Sequence, residues 1–220
     1  TIDFAPPNPH TAQKPINLVP RSRNQEALIL SLSDQEQPIV VTIGPAGTGK
    51  TYLAMQAAVR ALRTGECDRI IMTRPAVAVE DERHGFLPGN LVAKMEPWTR
   101  PLLDVLRQYY RAPDITRMID EQTIEISPLA YMRGRTFRNA WVIADEMQNA
   151  TPAQVKMLMT RIGQNSKIVI TGDVEQADRS RGENGLWDLC GRLTATAVTG
   201  IALCELTQRD VQRHHIIGPI

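Results

Sequence analysis

Short apolar strands that alternate with helices predict an α/β fold, a parallel sheet with helices on both faces. Three observations carry that prediction. "PIVVTIG" (Pro38–Gly44) is a continuous β-branched run of the kind found in a strand buried on both faces. Comparable runs recur along the chain: "RIIMT", "TIEIS", "WVIAD", "KIVITGD" and "IALCEL". The stretches between several of them carry helix signals.

The elements can be justified in order. Residues 1–23 hold Pro6, Pro7, Pro9, Pro15 and Pro20 and no sustained apolar period, which predicts an extended arm, because proline lacks the N–H and fixes φ. One domain is expected to follow over 24–220. "EALILSL" reads as a short helix before the first strand. Thr51–Arg63, rich in Ala and Leu, reads as a second helix, with Gly65 as its C-terminal cap. Residues 76–120 are less regular: "EDERHGFLPGN" is a charged loop, and "WTRPLLDVLRQYY" predicts a helix after Pro101. Thr151 and Pro152 open a further helix as N-cap and first-turn proline. Its Val155, Leu158, Met159 and Ile162 share one apolar face.

Composition bounds the function. The 220 residues are 42% hydrophobic and 22% charged, enough for one well-buried core. The formal net charge is +1, so a nucleic-acid site must be a local patch. Cys67, Cys190 and Cys204 have neither disulfide-framework nor metal-ligand spacing and suit a reducing compartment. No apolar run approaches the roughly 18 residues of a membrane span. A soluble cytoplasmic protein is the expectation, with trimming of either end left open because the chain begins on Thr1.

The sharpest motif is "GPAGTGKT", Gly44 to Thr51, directly after an apolar strand and directly before a helix. Gly44, Gly47 and Gly49 allow a tight turn whose N–H groups face inward, and the helix start adds positive dipole. The motif is a polyphosphate cradle: Lys50 is expected to reach the β- and γ-phosphates, and the Thr51 hydroxyl to bind Mg²⁺. The expected nucleotide contacts are Gly44, Pro45, Ala46, Gly47, Thr48, Gly49, Lys50, Thr51 and Tyr52. "WVIADE" then supplies Asp145 to hold Mg²⁺ and Glu146 to orient and deprotonate an attacking water. A second acid beside the first favours hydrolysis over transfer to a substrate hydroxyl. "VITGDVEQ" places Gly172, Asp173 and Gln176 past another strand, where the Gln176 amide can report the γ-phosphate; an Asp turn with a surface Gln is the bland alternative.

Taken in order, "GPAGTGKTYLA", "TRPAV", "GFLPG", "SPLAYMRGRTF", "IADEMQNATPAQVKMLMTRIG" and "ITGDVEQAD" resemble the PhoH-like family, whose fold is similar to the first motor lobe of superfamily 1 helicases. The resemblance spans 24–215 and implies a RecA-like P-loop lobe that binds and hydrolyses ATP with Mg²⁺, assembles as a homo-oligomeric ring such as a hexamer, and acts on single-stranded RNA. It implies further that the Gln25 amide reads adenine and that Thr73 and Arg74 touch a nucleic-acid backbone. Met147 stands where the family more often has alanine. "YMRGRTFRN" adds Arg133, Arg135 and Arg138 among Tyr131 and Phe137, and two readings stay open: an RNA contact, or a loop closing over ATP or a neighbouring subunit. "RDVQRHH" (Arg209 to His215) resembles the phrase that closes this domain. Adjacent His214 and His215 make a poor chelate, so zinc is not expected. Arg213 is the first choice for a catalytic arginine supplied in trans and Arg209 the reserve, with a solvated basic helix as the alternative. Beside an RNA-coupled ATPase stand a nucleotide-gated assembly module and, against the evidence of Glu146, a small-molecule kinase.

Overall fold

The computed structural model describes residues 15–75, 100, 103–176 and 182–212. Six parallel strands form one sheet: β1 (Ile39–Ile43), β2 (Arg69–Arg74), β3 (Ile124–Pro128), β4 (Ala140–Ala144), β5 (Lys167–Gly172) and β6 (Ile201–Glu205). Their spatial order is β3-β2-β4-β5-β1-β6. Each predicted strand is present within a residue or so of its expected bounds.

Period-two alternation builds two cores from these strands. Val40, Ile70, Met72, Ile143 and Val169 face one side, where α1 (Arg23–Ser33), α2 (Lys50–Thr64) and α3 (Ala112–Asp120) pack. Ile39, Val41, Ile43, Ile71, Val142, Ile168 and Ile170 face the other, under α4 (Pro152–Met159) and α5 (Gly185–Ala195). Every residue of β1, β4 and β5 is buried, which is why these runs lack polar alternation. The helices do lie on both faces.

Local signals set the helix ends. Ser22 caps α1 by accepting from the Gln25 N–H at 3.2 Å. Gly65 ends α2 in the left-handed region, φ 75°, as its position in sequence predicted. Thr151 and Gln154 form a reciprocal capping box at the start of α4, where Val155 and Leu158 are buried. Of the helix expected after Pro101, residues 103–106 are helical and the chain turns at 107–109. Two helices lie where none was predicted. In α5 the stripe Leu186, Leu189, Cys190, Leu193 has helical spacing and Asn184 as N-cap, so its signal was available. The nine residues of α3 carry fewer apolar anchors, with only Ile115 and Met118 buried, and resist recognition without the sheet.

One topological fact positions the site. β1 lies between β5 and β6, while β4 lies beyond β5. The loop after β1 therefore meets the end of β4 only across β5, and ligands in such sheets bind at the carboxyl ends of strands where the order reverses.

Candidate nucleotide site

The cradle begins where β1 ends. The Gly44 N–H continues the ladder to the Gly172 carbonyl at 3.2 Å, so the turn hangs from β5 as well as from β1. Gly44 has φ 142°, and a Cβ there would stand 2.2 Å from the Leu206 carbonyl oxygen; no side chain fits. Gly47 (φ 82°) and Gly49 (φ 88°) take the left-handed conformation that makes a concave nest of N–H groups ahead of α2. Pro45 is half-buried, Ala46 exposed and Thr48 buried, its hydroxyl donating to the Pro45 carbonyl at 2.8 Å.

Lys50 folds over this turn. Its Nζ donates to the Gly44 carbonyl at 2.5 Å and the Pro45 carbonyl at 2.7 Å. Burial lowers its pKa from the ordinary lysine value, and the charges of Asp173, Asp145 and Glu146 oppose that shift. These three carboxylates are the charges that favour its ammonium form. Thr51 Oγ1 donates to Asp145 Oδ1 at 2.8 Å, joining α2 to the end of β4. Thr171 on β5, fully buried, donates its hydroxyl to the same oxygen. Thr171 was missed in sequence, although it stands two residues before Asp173 on the strand face turned the same way.

Glu146 has a left-handed backbone, φ 55°, which turns its side chain out of the strand line. Its Oε1 lies 3.6 Å from Arg74 Nη2, and its Oε2 accepts from Gln148 Nε2 at 2.5 Å. Gln148 is the second residue missed in sequence. A 3₁₀ turn, Met147–Asn149, carries it back over the sheet, where its Oε1 accepts from the Asp173 N–H at 3.1 Å. It thus couples the carboxylate after β4 to the turn after β5. Gly172 makes room for it, since a Cβ would stand 2.7 Å from Gln148 Oε1.

The remaining expected site residues divide. Gln25 is buried; its Nε2 donates to the Thr48 carbonyl at 2.8 Å, and its Oε1 accepts from the Arg21 N–H at 2.8 Å. Tyr52 is exposed, and its hydroxyl donates to Gln108 Oε1 at 3.1 Å. Gln176 is exposed beyond β5, with its N–H on the Asp173 carbonyl. Thr73, on β2, is buried at 1% exposed. Arg135 makes a two-pronged pair with Glu125, at 2.5 and 2.7 Å, and lies over the Phe137 ring. Arg74 meets Glu146 as described, and Arg133, Arg138 and Tyr131 are exposed. Arg209 is exposed on a single 3₁₀ turn, Gln208–Asp210, not on a helix. Arg213, His214, His215 and the GFLPG segment lie outside the described residues. Among the described residues no group of three or more His, Cys, Asp or Glu could hold a metal ion, and no helix is long and apolar enough to cross a membrane.

The family profile described as PhoH-like protein matches residues 17–220. A PhoH-like protein of Bacillus subtilis is 50% identical over 183 residues, covering 83% of this chain and 56% of that protein. One from Synechocystis is 47% identical over 186 residues, covering 84% of this chain and again 56% of the relative. The chain thus spans a little over half the length of these curated relatives. Among solved structures it is similar to the DUF1998 helicase MrfA bound to DNA, at 13% identity and TM-score 0.49, over 84% of this chain and 25% of that one.

Proposed function

The chain belongs to the family of PhoH-like proteins, and from that premise we propose that it binds ATP with Mg²⁺, hydrolyses it, and couples turnover to single-stranded RNA within a ring of its own copies. The observation that carries the reading is the contact between Thr51 Oγ1 and Asp145 Oδ1, 2.8 Å, beside a lysine folded onto the Gly44 and Pro45 carbonyls of the cradle. Hydroxyl and carboxylate are the oxygen donors a small hard cation takes, and Mg²⁺ is often held by one or two protein oxygens plus phosphate. When bound, Mg²⁺ would neutralise charge developing on the phosphate oxygens.

The chain's own residues then have simple tasks. The nest N–H groups hold the phosphates, and Lys50 exchanges carbonyl oxygens for phosphate oxygens without leaving its burial. Glu146 orients water and takes its proton at one carboxylate oxygen. Its two oxygens face Arg74 and Gln148, and withdrawal of either donor would leave more of the carboxylate to the water. Arg74 is the one an RNA phosphate could draw away, because its side chain is 27% exposed. Exposed Arg133 supports the same coupling. In a ring, Arg213 or Arg209 of a neighbouring copy would supply the positive charge that a single open lobe lacks over the γ-phosphate.

Phosphate release with Mg-ATP, with and without poly(U), tests this. Glu146→Gln should retain ATP binding and lose about 100-fold or more in turnover. Absence of turnover in the unaltered protein rejects hydrolysis; turnover indifferent to RNA rejects the coupling alone.

A further inference from the structure

Two peptide groups of the cradle are gripped by their carbonyls from outside. The Gly47 carbonyl accepts from the Gln212 N–H at 3.0 Å, and the Thr48 carbonyl from Gln25 Nε2 at 2.8 Å. In a trans peptide the carbonyl and the following N–H point in opposite directions, and the chain has no cis bond among its described residues. Holding these two carbonyls toward α1 and the segment after β6 therefore turns the N–H groups of Thr48 and Gly49 the other way, toward the cradle.

The two grips are joined to each other. Asp210, 2% exposed, accepts from Asn24 Nδ2 at 2.8 Å, from the Thr207 N–H at 2.6 Å and from Thr207 Oγ1 at 3.1 Å. Burial pushes its carboxyl up, but hydrogen bonds from Ser22, Asn24 and Thr207 outweigh it and hold the pKa below the ordinary value. Asn24 precedes Gln25 on α1, and Asp210 lies two residues before Gln212, so this one carboxylate ties both grips together. The Leu206 N–H meets the Ile43 carbonyl at 2.8 Å, running the same segment alongside the start of the turn.

We propose that Asp210 and Gln25 are positioning residues for polyphosphate: they lock α1 and the segment 207–212 against the back of the cradle, so that its N–H groups are aimed before any ligand arrives. The proposal rests on the nucleotide reading above and differs from a role for Gln25 in reading adenine. A base contact discriminates among nucleotides; a clamp on the cradle acts through phosphates and is blind to the base.

Binding of ATP, GTP and inorganic tripolyphosphate, each with Mg²⁺, separates the two by titration against unaltered protein, Gln25→Met, Asp210→Asn and Gln212→Pro. Gln212→Pro removes one N–H, and Val211, at φ −63° and ψ 120°, already has the conformation preferred before proline. All three variants should weaken all three ligands by a common factor, on the order of 10 for the loss of one preorganising hydrogen bond. Gln212→Ala, which keeps the N–H, should bind tripolyphosphate about 5-fold more tightly than Gln212→Pro. Should Asp210→Asn fail to fold, Gln25→Met and Gln212→Pro still decide the matter. A loss confined to ATP in Gln25→Met, or unchanged tripolyphosphate affinity in Gln212→Pro, overturns the clamp. If the unaltered protein binds none of the three ligands, the nucleotide reading falls and the clamp with it.

Discussion

Two buried lysines occupy opposite ends of the same sheet. Lys50 is 8% exposed and lies over the turn after β1; Lys167 is 6% exposed and begins β5 at the other end. Each donates to main-chain carbonyls: Lys50 to Gly44 and Pro45, Lys167 to Ser31 at 3.2 Å, Leu32 at 2.8 Å and Asp34 at 2.7 Å. Burial lowers the pKa of both, that of Lys167 to about 8. By burial and the direction of the shift alone they look alike, yet their surroundings give them different work.

The Ser31 and Leu32 carbonyls are among the last of α1, which have no partner inside the helix, and Asp34 is its C-cap, so the ammonium caps a helix and meets the negative end of its dipole. It also lies 5.4 Å from the centre of the Trp141 ring, which supplies a further fixed partner. Lys50 instead borrows carbonyls from a turn whose N–H groups are aimed elsewhere, with three carboxylates close by. A perturbed lysine is thus a weak sign of function until its partners are known to be replaceable.

The comparison can be broken most decisively by exchanging effects. Lys50→Ala should abolish ATP turnover, by about 100-fold or more, with little change in melting temperature. Lys167→Met should do the reverse, keeping turnover per folded molecule. Equal loss of turnover in both would show that the two ends are not functionally distinct. In chemical denaturation at pH 7, Lys167→Met should lose about 1–3 kcal/mol, because carbonyls at the end of α1 are left without a donor.

A finer distinction lies in pH. The folded pKa of Lys167, about 8, is below its unfolded value of 10.5, so between these values the unfolded chain binds the extra proton. This group therefore makes stability rise with pH across that window, and its unfavourable contribution is fully present below about pH 8. Comparing the pH slopes of unaltered protein and Lys167→Met isolates it, since Cys67, raised to about 12, titrates in both. The unaltered protein should show the more positive slope, by at most about 1.4 kcal/mol per pH unit. The smallest effect should come from Trp141→Phe, which keeps an aromatic face for Lys167 and should cost about 1 kcal/mol, read from the denaturation midpoint.

Much of the site was legible from local spacing. The run from Gly44 to Thr51, Asp145 with Glu146, and Asp173 all lie at strand ends, and residue type and order suffice to find them. Gln148 was harder because its role depends on a 3₁₀ turn that returns it to β5. The partner of Arg135 was hidden for a similar reason: nothing in "YMRGRTF" reveals that Glu125, ten residues earlier and on β3, pairs with it.

The closing phrase "RDVQRHH" shows the division most clearly. Its charges drew attention to arginines, while the residue with the firmest structural role among those described is Asp210, held by Asn24 at a separation of 186 residues. Sequence alone determined the strands, the cradle and the acids beside it, because those depend on periodicity and on neighbours within a turn or two. Only the tertiary structure decided which lysine caps a helix, which arginine pairs with Glu125 and which aspartate joins α1 to the cradle. Such roles depend on which partners burial brings within 3 Å or so, and chain distance carries no information about that.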